Sequence, residues 1–305
     1  MKRRDFITSS TLFTAGLFAG LGNIKIIGKT GLTPDSVNIP KIKLNNGILM
    51  PQLGFGTSGL NGDVCKNCVN QAISVGYRLI DTATIYGNEE FVGAGIKLNG
   101  ISRDKLFITS KVWVSDFGYE STKKAFETSL AKLQTDYLDL YLIHRPKGDV
   151  DGTWKAMMEF YKAGKIRAIG ISNFEYDHTK ELLSKSKIKP AVNQIETHPF
   201  FQQHRAYAEL KAFEIQMEGW SPFAQGRNGM FTNETIAKIG NKYGKTNAQV
   251  ILRWNMERGI IAIPRTSKLA HMKENIDIFD FELSNEDMEL IKTLDLNRTQ
   301  FPEWG

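Results

Sequence analysis

Eight short apolar runs, each followed by a longer stretch of mixed polarity, set the tightest limit on how this chain can fold. They cover residues 53–56, 78–81, 106–111, 137–144, 166–171, 191–196, 216–220 and 260–264. Several are nearly continuous rather than alternating, as strands covered on both faces should be. Helical stretches lie between them at 120–133, 154–163, 177–184, 233–243 and 248–257, the last two sharing one interval. Two more, at 269–278 and 285–294, close the chain. Strand and helix alternating eight times over roughly 250 residues predict a closed (β/α)8 TIM barrel of the α/β class. Ahead of it, KIKLNNGILMP predicts a hairpin turning at Asn45-Asn46-Gly47. No linker or charge block divides residues 41–305, so one domain is expected, with the hairpin and two extra helices added to the barrel.

A doubly wound dinucleotide fold is the structural competitor. It needs a glycine-rich turn between the first strand and its helix. Gly54, Gly56 and Gly59 in LGFGTSGL supply glycines, and Asp81 lies roughly twenty residues on. However, Asn61-Gly62-Asp63 intervenes before the helix, and the strand count favours the barrel.

Charge is unevenly placed. The net charge is +6, and residues 1–30 hold Lys2, Arg3, Arg4, Lys25 and Lys29 against Asp5, or +4, which leaves +2 for the rest. With no basic stripe in the body of the chain, a nucleic-acid-binding surface is disfavoured. The segment MKRRDFI followed by TSSTLFTAGLFAGLG resembles a twin-arginine signal, which is read by an export machinery that carries folded proteins. A periplasmic or exported location is therefore expected, with the mature end between Gly22 and Asp35. An uncleaved basic tail on a cytoplasmic protein is the alternative. Cys65 and Cys68 form a C-x-x-C pair, but they fall at the start of an amphipathic helix with no second pair or histidine cluster. Two helix neighbours are expected rather than a redox or metal site.

Four polar residues fall at or just beyond predicted strand ends: Asp81 and Tyr86 in RLIDTATIYGNEE, Lys111 in LFITSKVW, and His144 in YLDLYLIHRP. In a barrel the strand C-termini are where active sites gather. This set can protonate a carbonyl oxygen while hydride arrives at the carbon. A free phenol titrates near ~10, and a nearby ammonium is expected to lower that value. An aspartate would keep the ammonium charged and aimed, and the imidazole would orient the carbonyl oxygen.

From residue 41 onwards the chain resembles the aldo-keto reductases. The matching segments are GFGTSG, RLIDTATIYGNEEFVG, ITSKVW, DYLDLYLIHRP, GKIRAIGISNF, VNQIETHP, WSPFAQG and IPRTSKLAHMKEN, in that order. WSPFAQG and YGKTNAQVILRW look most like the bacterial diketogluconate reductase branch. The resemblance implies a barrel that binds NADPH without a Rossmann fold, acts as a monomer and reduces a small-molecule aldehyde or ketone, such as a sugar-derived keto-acid. It implies that Asp81, Tyr86, Lys111 and His144 are catalytic. Gly56 and Thr57 would lie with the cofactor, while Ser172, Asn173 and Gln194 would hydrogen-bond the nicotinamide carboxamide and Trp220 would stack under its ring. Ser221, Phe223, Gln225, Gly226 and Arg227 would follow the pyrophosphate. Arg265, Thr266 and His271 would meet the adenosine 2′-phosphate, with Glu274 and Asn275 at the adenine. No metal is implied.

Two departures from the family pattern carry consequences. His271 stands where the family often has arginine, so a weaker NADPH preference, with some use of NADH, is expected. Arg145 replaces the tryptophan common after the catalytic histidine, and a cation there would suit anionic substrates. Export also conflicts with cofactor recycling, because free NADPH is not expected to be regenerated outside the cytoplasm. A nucleotide-binding redox sensor or scaffold with little turnover is the competing reading.

Overall fold

The computed structural model describes residues 38–304. The export-signal reading of residues 1–30 and the final Gly305 lie outside the described residues.

Strands β1 (Lys41–Lys43) and β2 (Leu49–Pro51) pair antiparallel as the predicted hairpin. Their connection runs from Leu44 to Ile48, longer than a two-residue turn, with Gly47 at φ +87°. Eight parallel strands follow: β3 (Gly54–Gly56), β4 (Leu79–Asp81), β5 (Phe107–Val112), β6 (Leu138–Ile143), β7 (Ile166–Ser172), β8 (Val192–Glu196), β9 (Gln216–Trp220) and β10 (Ile261–Ala262). Each pairs with the next in sequence order. The barrel closes where Leu53 bridges Ala262, and Gly56 N–H donates to the Pro264 carbonyl at 3.0 Å.

The connecting helices are α1 (Gly62–Val75), α2 (Glu89–Asn99), α3 (Tyr119–Leu133), α4 (Val150–Lys162), α5 (Tyr176–Lys185), α6 (His204–Ala212), α7 (Glu234–Tyr243), α8 (Asn247–Glu257) and α9 (Leu269–Ile276), with α10 (Asn285–Lys292) last. Two of these exceed one helix per strand, one before β10 and one at the end. Helix α4 starts earlier than its apolar pattern suggested, because Asp149 caps it by accepting from Gly152 N–H at 2.8 Å. The eighth strand is shorter than expected, and Pro264, which cannot donate to a ladder, lies just beyond it.

The period-two geometry of a strand divides its side chains between two cores. Leu79, Phe107, Leu140, Leu142, Ala168, Val192, Ile261 and Ile263 fill the barrel interior, together with Leu44 and Met50 from the hairpin end. Ile80, Ile108, Tyr141, Ile143 and Ile169 face outward onto Val69, Phe126, Trp154 and Val250 of the helices. Asn45 Nδ2 donates to the carbonyls of Pro190 and Glu214, and Asn46 Nδ2 to that of Arg167, so the hairpin is pinned beneath the barrel. The opposite end is left for the site.

Gly54 and Gly56 of LGFGTSGL serve close packing within the barrel, and Gly59 takes a φ of +74° in the loop that follows. A Cβ on Gly54 would stand 2.5 Å from Leu79 Cγ, and one on Gly56 3.0 Å from the Ile263 carbonyl oxygen. Cys65 and Cys68 are free, buried thiols on the inner face of α1, and burial pushes the Cys65 thiol up to about 12. That is the inert end of cysteine behaviour.

Helix α2 was not legible from apolar spacing, since GAGIK puts two glycines in its interior. Their role is close approach: a Cβ on Gly93 would meet the Lys132 carbonyl oxygen at 2.6 Å, and one on Gly95 the Lys66 oxygen at 2.5 Å. Helix propensity alone would make Gly93→Ala stabilising by about 1 kcal/mol. The obstructing atoms are backbone, so overpacking of about 1–3 kcal/mol should outweigh that gain. Gly93→Ala should therefore lower the thermal midpoint, and an unchanged or raised midpoint would refute the close-packing role.

Candidate active site

The C-terminal ends of the strands open on one cavity of about 830 Å³. Its inner wall includes Asp81, Tyr86 and His144. Asp81 ends β4, Lys111 is the fifth residue of β5, and His144 follows β6 directly. Lys111 is 0% exposed and Asp81 2%. Lys111 Nζ donates to Asp81 Oδ1 at 2.6 Å and to the Thr82 carbonyl at 2.9 Å. Burial works against the ammonium, but Asp81, then Tyr86, oppose it and hold the Lys111 pKa above the ordinary lysine value.

Tyr86 ends a 3₁₀ turn, Thr84–Tyr86, that the strand pattern did not reveal. Lys111 Nζ lies 5.2 Å from its ring centroid, and the His144 ring meets it edge-on at 5.9 Å. The expected lowering of the phenol pKa is not the net result. Burial raises it and the Asp81 charge adds to that, against the downward pull of Lys111 and Ser58. His144 is held well below its usual value, first by burial and then by Lys111 and Arg145. Its Nδ1 is buried without a protein partner. At neutral pH the site thus holds a protonated phenol and an uncharged imidazole.

Asn88 locks this corner and was missed in the sequence. It is fully buried, accepts from Thr82 Oγ1 at 2.7 Å, and donates to the carbonyls of Thr57 and Leu60 at 2.9 and 2.8 Å. Those two carbonyls belong to the loop after β3, so Asn88 couples that loop to the Tyr86 turn. Trp113, also missed, stacks edge-on against His144 at 4.9 Å and lines the cavity.

The nicotinamide residues suggested by the resemblance do come together. Ser172 ends β7, Asn173 follows it at φ +61°, Gln194 is in β8 and Trp220 ends β9. Ser172 Oγ donates to the Gln194 carbonyl at 2.8 Å. Asn173 Nδ2 donates to the His144 carbonyl and to Ser172 Oγ, both at 3.0 Å, while Asn173 Oδ1 accepts from Trp220 Nε1 at 2.9 Å. Gln194 Nε2 donates to Asp81 Oδ2 and to Glu218 Oε2, both at 2.9 Å. An amide has two hydrogens, so both of these amides have spent their donors within the protein. What remains is acceptor capacity on Asn173 Oδ1 and Gln194 Oε1, suited to a ligand amide that donates.

Trp220 is braced by the tail: Phe301 lies 5.3 Å and Trp304 5.5 Å from its ring, and those two rings stack on each other at 4.6 Å. Glu196 holds the tail by accepting from Gln300 N–H at 2.8 Å and from Thr299 Oγ1. The loop after β9 carries Ser221, Phe223 and Gln225 into the cavity wall, with Ser221, Ala224 and Gln225 all at positive φ. Such left-handed conformations in residues with a Cβ cost on the order of 1–3 kcal/mol each and tend to collect at functional sites.

Not every expected residue reaches the cavity. Thr57 is fully buried and its Oγ1 donates to the Asp81 carbonyl at 2.9 Å, so its side chain is structural in this arrangement. Gly226 does not line the wall, and Arg227 pairs with Glu303 of the tail instead of facing a pyrophosphate. Gly56, Arg265, Thr266, His271, Glu274 and Asn275 do line it, and so does Lys268, which the motif reading passed over. Arg265 and Lys268 have no ion-pair partner among the described residues, so two basic side chains on this wall are left for a ligand. They fit a phosphate group, and the free acceptors near Trp220 fit an amide. Arg145 also lines the wall without an ion-pair partner among the described residues. No group of three or more histidine, cysteine or acidic side chains suited to a metal occurs among the described residues.

Known proteins resemble this chain in both sequence and fold. The sequence profile of the aldo/keto reductase family matches residues 52–296. The glyoxal reductase of Bacillus subtilis (strain 168) is 52% identical over 255 residues, covering 83% of this chain and 92% of that protein. The methylglyoxal reductase DkgA of Yersinia pestis is 43% identical over 267 residues, covering 87% of this chain and 96% of its own. The crystal structure of a Bombyx mori aldo-keto reductase in complex with NADP superposes with a TM-score of 0.82 at 34% identity, covering 88% of this chain and 97% of that one. The chain belongs to the aldo/keto reductase family.

Proposed function

We propose that this member of the aldo/keto reductase family is an NADPH-dependent reductase of small aldehydes and ketones, with Tyr86 as the proton donor. The observation that carries the reading is the buried Lys111–Asp81 pair set behind a protonated Tyr86 and an uncharged His144 on one cavity wall. Relatives named for glyoxal and methylglyoxal reduction support α-dicarbonyl compounds among its substrates.

When bound, the reduced nicotinamide supplies hydride to the carbonyl carbon, and the π electrons of the C=O bond move onto oxygen. His144, uncharged, donates an N–H to that oxygen and orients it. The Tyr86 hydroxyl transfers its proton to the same oxygen, leaving a phenolate. Lys111 stabilises that phenolate with a positive charge held 5.2 Å from the ring centroid, in a site withdrawn from water where such attraction is little screened. Asp81 by itself disfavours the phenolate, so its contribution is to keep the ammonium charged and aimed. Charge is met where it develops, which is the protein's main means of lowering such a barrier.

Arg265 and Lys268 line the cavity together with His271 and would meet the 2′-phosphate. His271 in place of an arginine still leaves some use of NADH expected, with Lys268 as a further basic side chain on the same wall. Arg145 follows His144 and is electrostatically coupled to both His144 and Tyr86. Carbonyl substrates that carry a carboxylate, keto-acids included, are favoured by that position.

Residues 1–30 remain a proposed twin-arginine leader, and export through that machinery a proposed fate. Fractionation of a native host should then place the mature protein outside the cytoplasm with an amino terminus between residues 22 and 35. Recovery of the intact chain from the cytoplasm alone would reject it. Tyr86→Phe should bind NADPH with near-wild-type affinity and lose at least about 100-fold in kcat; unchanged steady-state turnover would discard the proton-donor role. With the matched aldehydes 4-carboxybenzaldehyde and 4-nitrobenzaldehyde, Arg145→Gln should lower the kcat/KM ratio of anionic to neutral substrate by roughly tenfold or more. A ratio equal to wild type would remove Arg145 from substrate choice.

A further inference from the structure

One buried carboxyl has no part in the reaction described above. Glu218 sits in β9, 0% exposed, and points into the barrel beneath the cavity. Its register partners are Gln194 on β8 and Ile261 on β10. Oε2 accepts from Gln194 Nε2 at 2.9 Å, while Oε1 is buried with no partner in the protein. The charged groups acting on it are Asp81 from β4 and Lys111 from β5, and its β10 neighbour is apolar. Glu218, Gln194, Asp81 and Lys111 therefore form one continuous chain of buried hydrogen bonds.

The arrangement has a consequence for Gln194. An amide side chain can turn over, exchanging the positions of its oxygen and nitrogen. Asp81 alone would hold one hydrogen of the Gln194 amide and leave the second unmatched. With Glu218 taking that second hydrogen, the nitrogen is fixed downward and Oε1 is the atom left for the cavity. We propose that Glu218 is a positioning residue for the cofactor: by accepting the second Gln194 hydrogen it fixes the amide so that its oxygen faces the nicotinamide carboxamide. This rests on the NADPH reading given above.

The ionisation of Glu218 agrees with a service role rather than a structural one. Burial, reinforced by the Asp81 charge, pushes its pKa up to about 8. A carboxyl in the unfolded chain titrates near ~4.3. Between those values the folded state holds a proton that the unfolded state has released, so unfolding free energy falls as pH rises. Glu218 is thus a growing liability for stability from about pH 4 to pH 8. Deleting Glu218 alone relieves that liability but leaves the second Gln194 hydrogen buried and unpaired, so the two effects oppose each other and only the first depends on pH.

The test compares wild type, Glu218→Leu and Glu218→Gln by NADPH fluorescence titration, steady-state kinetics and thermal melting at pH 5 and pH 8. The melting midpoint of Glu218→Leu relative to wild type should rise between pH 5 and pH 8, because only wild type carries the raised carboxyl. It should bind NADPH roughly fivefold or more weakly and show this chiefly in the KM for NADPH. Glu218→Gln can present its own amide oxygen to Gln194 and should recover most of the affinity. Unaltered NADPH affinity in Glu218→Leu would overturn the proposal, as would a Glu218→Gln variant impaired as severely as Glu218→Leu. If Glu218→Leu does not fold, Glu218→Met makes the same comparison. Failure of wild type itself to bind NADPH would instead strike at the cofactor reading, and that outcome is distinct from either variant result.

Discussion

The ion pair between Lys111 and Asp81 is the constraint around which the barrel mouth is arranged. Both side chains are withdrawn from water, and breaking such a pair by deleting one partner ordinarily costs about 3–5 kcal/mol, because the other charge is left buried and alone. Replacing both by apolar residues would often be neutral or better. The pair therefore makes little sense as a device for stability. It makes sense as a means of holding a full positive charge 5.2 Å from the Tyr86 ring in a site where water cannot screen it.

Everything that touches the pair restricts its geometry further. Thr82 accepts a second Lys111 hydrogen through its carbonyl, and Thr57 donates to the Asp81 carbonyl through both Oγ1 and N–H. Asn88 ties the neighbouring loop to the turn that carries Tyr86. Gln194 joins Asp81 to Glu218 below and leaves an acceptor above. Desolvation meanwhile keeps the phenol protonated and the imidazole uncharged, the two states that a proton-donating site requires at neutral pH. The tail and the loop after β9 complete the wall, bracing Trp220 through Phe301 and Trp304.

Much of this was legible in the residues, and the limits of legibility have physical causes. Fully buried parallel strands leave a continuous apolar signature, so all eight were located, and 216–220 coincides with β9. Helix α2 was hidden because glycines chosen for close packing erase the apolar period. The Tyr86 turn was hidden because a 3₁₀ segment of three residues has no period to detect. The bond from the Thr57 side chain to the Asp81 carbonyl was hidden because a motif does not say which way a side chain points. Lys268 and Asn88 look like ordinary surface and turn residues until the fold carries them to the wall.

The sequence by itself determined the barrel, the family and the identity of the side chains at the strand ends, since the hydrophobic period and the local motifs are properties of neighbours along the chain. It also carried the departures at Arg145 and His271. Only the tertiary structure decided the direction of the Tyr86 and His144 pKa shifts, because desolvation depends on what surrounds a group from distant strands. It alone decided that the amides of Asn173 and Gln194 present oxygen rather than nitrogen to the cavity. Glu218 is the plainest case: in QMEGW it is one acidic residue among many, and it acquires a role only where β4, β5 and β8 converge on it.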